Sequence, residues 1–373
     1  MKSVVELLRV ARGEGASDLH LVTDYPPFLR VNGTLKTIEK ADPMSPEDVQ
    51  TCLEELATPS QVEVFRRDLE LDFSYSLPQV GRLRCNAARQ RGSISFAIRL
   101  LPPEIPTIDD LLLPQICKEL ALCPRGLVIV SGPTGAGKST TQAAMLSHIN
   151  VNRACHIVTI EDPIEYTHTN LNSAITQREL GTDTHSFAEA LKHVLRQDPD
   201  VIMVGEMRDL ETAASVLTIA ESGHLVLTTG HATSAYQCVE RVVDLFPPDQ
   251  RYLAQNRLAS LIVGVLCQIL VPRSDGSGRI VAVEVMIGNV AVKNLIREGK
   301  IYQLPNVIRT SSLEGMETLD QSLVRLYLKG MITLETVGNF CNDKEEVERL
   351  IGKMPVLARA GVHTEVRRTV KTS

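Results

Sequence analysis

The apolar run Leu127-Val128-Ile129-Val130-Ser131 passes directly into Gly132-Pro133-Thr134-Gly135-Ala136-Gly137-Lys138-Ser139, and this junction constrains the chain more than any other feature. The run reads as a buried strand, and helix-forming sequence follows around Thr140–Ile149. Between them the spacing G-x-x-x-x-G-K-[ST] is complete. Glycines let backbone N–H groups curl around phosphate oxygens, and the opening of the helix adds positive potential. On this pattern Lys138 reaches the β- and γ-phosphates of ATP, and the Ser139 hydroxyl ligates Mg²⁺. Gly132, Pro133, Thr134, Gly135, Ala136, Gly137, Lys138, Ser139 and Thr140 therefore form the candidate nucleotide-holding segment.

A strand feeding such a loop needs a sheet around it. His156–Ile160, Val201–Val204 and Leu225–Thr229 are further apolar strand cores separated by helical stretches. This alternation signals a parallel sheet with helices on both faces. Helices are expected at Val290–Glu298, Thr318–Lys329, Leu334–Phe340 and Lys344–Ile351. The first hundred residues read differently. A short helix at 3–12 precedes strands at Leu19–Val22, Phe28–Val31 and Leu35–Ile38, the last two joined by an Asn32-Gly33 turn. Ser45-Pro46-Glu47-Asp48 starts a helix with apolar spacing through Phe65. Strands follow around Leu71–Ser76, Arg82–Ala87 and Ile94–Leu100. Pro102-Pro103-Glu104-Ile105-Pro106 then breaks the pattern, because three prolines in five residues continue neither strand nor helix. The expected organisation is a mixed α/β domain over 1–101, a linker over 102–111, a nucleotide-binding α/β domain over 112–355 and a mobile basic tail over 356–373.

Composition narrows the function. With 39 basic against 45 acidic residues, 4% aromatics and no Trp, the chain lacks the makings of a base-stacking platform or a dedicated nucleic-acid surface. Its eight cysteines are scattered without a Cys-x-x-Cys, which favours free thiols in a reducing compartment over disulfides or a zinc site. The start has no signal-peptide pattern, and no run approaches the roughly 18 apolar residues that span a bilayer. A cytoplasmic protein touching membranes only through partners is expected.

Three groups of residues could add chemistry to the loop. Glu161-Asp162-Pro163-Ile164-Glu165 and Gly205-Glu206 follow expected strands, and strand ends of a parallel sheet open beside a phosphate loop. Hydrolysis needs one group to activate water and another to hold the metal shell, although acids also cap ordinary surface turns. His224 and His231 flank Leu225–Thr229. They are either structural residues or a pair framing a strand end that senses the γ-phosphate. Arg82, Arg84, Arg89 and Arg91, with Arg99 further on, form a basic cluster. Alternation puts Arg82 and Arg84 on one strand face, either as a solvated surface or as guanidinium groups for a phosphoryl transition state.

Taken together, Gly132–Thr140, Thr159–Glu165, Asp198-Pro199-Asp200 with Val204–Asp209, and Ala220-Glu221-Ser222-Gly223-His224 resemble the Walker A, Asp box, Walker B and His box of the secretion-type ATPases that serve type II secretion and type IV pili. Ala16-Ser17-Asp18-Leu19-His20-Leu21 resembles the opening of that family's PAS-like N-terminal domain, so the likeness covers nearly the whole chain. Asn294-Leu295-Ile296-Arg297-Glu298 resembles an element of the pilus-retraction branch. The chain also lacks the long N-terminal extension and the four-cysteine insert typical of assembly and secretion ATPases, which points to the same branch.

The resemblance implies a PAS-like domain joined to a RecA-like ATPase domain with a helical C-terminal part. It also implies a homo-hexamer with ATP and Mg²⁺ at subunit junctions, acting on an inner-membrane pilus platform protein, with a paralogous retraction ATPase as a further partner. Residue by residue, it assigns Glu165 as catalytic base and Glu206 as Walker B acid, a metal ligand with Ser139. His224 and His231 match the histidine pair, and Arg84 and Arg99 the arginines that approach the phosphates. A pilus assembly or type II secretion ATPase and an accessory retraction ATPase are the alternatives. Departures are Glu206 for the commoner Asp, Gly230 and Ala232 around His231, Val292 and Lys293 for Ile and Arg, and a chain that runs on through Arg367 and Arg368 to Ser373.

Overall fold

The structure, a computed structural model, describes residues 3–31, 33–39, 41–102 and 104–352. The expected tail over 356–373 and the Asn32 half of the turn lie outside them. Two compact units emerge from the pattern of contacts. Among the described residues, one comprises those up to Ile105 together with Asp162–His168; the other comprises Pro106–Glu161 and those from Thr169 to Gly352.

The first unit begins with helix α1 (Val4–Gly13), capped by the Ser3 hydroxyl on the Glu6 amide. Strands β1 (Asp18–Val22), β2 (Phe28–Val31) and β3 (Thr34–Thr37) follow, then helices α2 (Pro46–Leu56) and α3 (Pro59–Asp68), then β4 (Glu70–Leu77), β5 (Gly81–Gln90) and β6 (Ser93–Leu100). The single helix read from Ser45 through Phe65 is two helices. Thr58 and Pro59 restart the chain with a second capping box, because proline suits a first helical turn but not an interior. The antiparallel sheet runs β3-β2-β1-β6-β5-β4. Its inward face packs Leu19, Leu21, Leu83, Phe96 and Ile98 against Leu7, Leu8, Val49 and Leu53 from the helices. Its other face stays polar, as alternation along half-buried strands requires.

The second unit carries α4 (Ile116–Ala121), β7 (Gly126–Ser131), α5 (Lys138–Asn152), β8 (His156–Glu161) and β9 (Ala174–Glu179). Next come α6 (Phe187–Val194), β10 (Val201–Val204), α7 (Leu210–Glu221), β11 (Leu225–Thr229), α8 (Ala235–Asp244) and α9 (Arg251–Leu261). The chain continues through β12 (Ile262–Pro272), β13 (Arg279–Ile287), α10 (Val290–Arg297), α11 (Leu304–Thr310), α12 (Leu319–Leu328), α13 (Leu334–Phe340) and α14 (Lys344–Gly352). The sheet order is β13-β12-β7-β11-β10-β8-β9, parallel except for β13, which pairs antiparallel with β12. Central strands β7, β10 and β11 are buried at every position, as a sheet covered on both faces demands. One core packs α6–α11 over one face, and another packs α4 and α5 over the other. Because β7 to β11 run in parallel, their carboxyl ends share one edge, which is where the phosphate loop emerges.

Candidate nucleotide site

The loop after β7 is built around glycines with positive φ. Gly132, Gly135 and Gly137 have φ of 146°, 77° and 84°, where L side chains are strained. At Gly132 there is no room either, since a Cβ would stand 2.3 Å from the Gln268 carbonyl oxygen. α5 then starts at Lys138 with no side-chain cap, leaving its first amide groups for the loop's ligand. Pro133, Thr134 and Gly135 are exposed, Ala136 is buried, and Gly137, Lys138, Ser139 and Thr140 are half-buried.

The Lys138 ammonium folds back on this loop. Nζ donates to the Gly132 carbonyl at 2.7 Å and the Pro133 carbonyl at 3.3 Å, and it lies 3.3 Å from His231 Nδ1. His231 Nε2 in turn meets Glu206 Oε1 at 2.6 Å, while Arg208 Nη2 meets Oε2 at 2.6 Å. A continuous polar line therefore joins the loop lysine, a histidine after β11 and a carboxylate after β10. The sheet explains why three distant segments converge. β10 and β11 pair in register, Val204 with Thr228, and β11 pairs with β7, Thr229 with Val130. Two backbone clamps fix the loop after β11. The Ser131 hydroxyl donates to the Ala232 carbonyl at 2.8 Å and accepts from its amide at 2.9 Å, and the Gly230 amide donates to the Val130 carbonyl at 3.0 Å.

The histidine pair does not frame this site. His224 precedes β11, at the opposite edge of the sheet. Its carbonyl accepts from the Gly126 amide at 2.9 Å, where β7 begins, and its ring faces the Ser222 hydroxyl at 2.9 Å. The five residues of β11 separate it from His231 by about 17 Å at the usual strand rise. Within one chain only His231 joins the loop.

The first acidic segment also divides. Glu161, at the end of β8, is buried and accepts from Thr159 Oγ1 at 2.6 Å and Gln177 Nε2 at 3.1 Å, so it ties β8 to β9. The chain then leaves the second unit: Asp162–His168, with a half-buried Glu165, belongs to the first. There Arg82 Nε donates to the Ile164 carbonyl at 3.2 Å.

Arg84 and Arg99 stand directly opposite each other on β5 and β6. Next in the same row comes Asp18 on β1, whose Oδ1 accepts from Arg99 Nε at 2.9 Å, and then Arg30 on β2. Burial works against ionising Asp18, but the Ser17 hydroxyl and Arg99 outweigh it and hold the carboxyl below its usual range. Arg84 is exposed, and like charges opposed across a strand pair repel. The row can therefore receive an anion.

Sequence reasoning missed Ser131, Gln268 and the cationic partner Arg208. Ser131 and Gln268 are buried polar groups that contact the loop through the sheet rather than along the chain, so no local pattern marks them.

A glycine-lined loop between a buried parallel strand and a helix, with its lysine linked to a carboxylate on a neighbouring strand end, defines a P-loop ATPase. Residues 112–290 match the family described as type II/IV secretion system protein. The type IV pilus retraction ATPase PilT of Pseudomonas aeruginosa is 43% identical over 332 residues, 89% of this chain and 96% of that protein. PilU of the same organism, a type IV pilus ATPase, is 42% identical over 88% of this chain and 86% of its own length. The crystal structure of the pilus retraction motor PilT with bound ADP matches at TM-score 0.87 and 42% identity, covering 94% of this chain and all of that one. The chain belongs to the type II/IV secretion ATPase family and is an ATPase.

Proposed function

We propose that this chain is the ATP-hydrolysing subunit of a homo-hexameric motor that retracts type IV pili. It would act in the cytoplasm at the inner membrane, on a pilus platform protein. The observation that carries the reading is the line from Lys138 through His231 to Glu206, which couples a nucleotide-holding loop to a carboxylate two strands away. Its likeness to the P. aeruginosa retraction ATPase supplies the task.

In this reading the loop amides and Lys138 bind and orient the phosphates. Ser139 and Glu206 offer hydroxyl and carboxylate oxygens, a donor set suited to a hard dication. Bound Mg²⁺ would neutralise charge on the phosphates. His231 leaves Lys138 when phosphate takes the ammonium, so the loop after β11 registers the occupant. Glu165 acts as the base that orients and deprotonates water. Arg84 and Arg99 neutralise charge on a nucleotide held by a neighbouring copy, which relieves their mutual repulsion. Of the histidines only His231 receives a role. The comparable likeness to PilU favours a second reading, an accessory retraction ATPase working beside a paralogous motor.

Steady-state ATP turnover of the full chain tests the chemistry. Glu165→Gln is expected to lower kcat about a hundredfold or more, the scale of a lost general base. A variant that matches wild type removes Glu165 from that role, and a wild type no faster than Glu165→Gln removes the motor reading. In a deletion strain, loss of twitching with retained or excess pili supports retraction; loss of pili supports assembly. Restoration of twitching by this gene only when a paralogue is present supports the accessory reading.

A further inference from the structure

We infer that Gln268, on β12, is a positioning residue for the phosphate loop, kept for nucleotide binding more than for stability. This rests on the nucleotide-site reading of Gly132–Lys138.

β12 is the parallel neighbour of β7, with Cys267 opposite Ser131, so Gln268 stands one residue beyond the strand end where the loop begins. Its side chain is 2% exposed. Nε2 donates to the Ala136 carbonyl at 2.6 Å, between the second and third loop glycines. Gln268 closes on the loop in two further ways. A Cβ on Gly137 would lie 3.4 Å from Nε2, and a Cβ on Gly132 would strike the Gln268 carbonyl oxygen. One residue thus holds the loop by a hydrogen bond at Ala136 and leaves little or no room for side chains at Gly132 and Gly137. Tying the Ala136 carbonyl down on the sheet side leaves the neighbouring amides turned outward, as anion binding by such a loop requires.

The other half of the carboxamide shows what this costs. Gln268 Oε1 is buried and has no hydrogen-bond partner among the described residues. A buried acceptor without a partner loses its hydration and recovers nothing. An apolar side chain of similar length would remove the orphan oxygen but leave the buried Ala136 carbonyl without its donor, so stability alone gives the amide little advantage. The amide is explained by its one bond, to a carbonyl that only a donor can hold.

Gln268→Met and Gln268→Glu separate the two roles. Met cannot donate a side-chain hydrogen bond to Ala136 and removes the orphan oxygen; Glu keeps the shape and donates only while protonated, a form that burial favours. For Gln268→Met we expect ADP to bind roughly ten- to a hundredfold more weakly by isothermal titration, with Tm close to that of the ligand-free wild type, since one buried orphan replaces another. KM for ATP should rise more than kcat falls, and amide hydrogen exchange should quicken in 132–138 and not across β8–β10. Gln268→Glu should weaken ADP binding increasingly as pH rises and the carboxyl loses the proton it would donate. Unchanged ADP affinity in Gln268→Met overturns the inference. So does a loss of affinity that comes with a lower Tm and exchange quickened throughout the sheet. If wild type itself binds no ADP, the nucleotide-site reading fails instead.

Discussion

Asp18 shows how much one residue's environment decides. It lies in a row with three arginines of its own sheet, bonded to Arg99 and opposite Arg30 on β2. Its carboxyl is held below the usual range despite burial, so the folded state favours the ionised form. The stability it adds is present above the unfolded carboxyl's pKa, about 4, and is lost as pH falls through the lower folded value. Asp18→Asn, which resembles the protonated acid, should therefore be less stable than wild type at pH 7 and converge on it below pH ~4. Urea midpoints across that range would show it; a constant gap would deny the ion pair its part. The sequence showed Arg84 and Arg99 as members of a basic cluster but not that they face each other, because their pairing is set by the β5–β6 register. Gly230 is similar. It read as a departure beside His231, and the structure gives a reason. A Cβ there would lie 3.2 Å from Ser131 Oγ and 3.5 Å from Cys238 Sγ, so small size fits the clamp that holds this loop.

Elements were legible where their signal was local. The run before Gly132 and the helix after it needed only neighbouring residues, and Ser45 and Thr58 cap helices by patterns three residues long. The β12–β13 hairpin was not read as strands, although its apolar run was visible around Cys267. Such a run suits a buried helix or a buried strand equally, and only its place beside β7 decides. β9 was missed for the opposite reason: Ala-Ile-Thr-Gln-Arg-Glu is polar and half-exposed, as an edge strand can be. The hairpin carries Gln268 to the loop, so its geometry bears on the site. Gly288, just past β13, is pinned there. A Cβ would lie 2.0 Å from the Ile262 carbonyl oxygen, while its amide bonds the Val263 carbonyl at 2.8 Å. Gly288→Ala should destabilise the protein by ~1–3 kcal/mol, the range for overpacking a filled site. Chemical denaturation would measure it, and a neutral result would mean that the β12–β13 end yields easily.

At the scale of the molecule, the proposed chemistry is spread over two units of one chain. Lys138, Ser139, Glu206 and His231 belong to one, while Arg84, Arg99 and Glu165 belong to the other. The proposed motor places the arginines of one copy on the nucleotide of the next. A chain that has lost only its loop lysine would still offer arginines, and a chain that has lost only its arginines would still hold ATP. Lys138→Ala alone and the double variant Arg84→Ala/Arg99→Ala alone should each hydrolyse ATP at least tenfold more slowly than wild type. The two should be mixed, dissociated and reassembled into shared rings. Junctions that join an intact loop to intact arginines should then recover a part of wild-type turnover, greatest near equal proportions. Arginines acting within their own chain would leave every mixture inactive, since no copy would hold both halves. Activity that tracks only the fraction of one variant would remove the arginines from the chemistry altogether. The hexamer, the shared site and the motor reading thus meet in one titration, whose shape depends on which chain supplies each half.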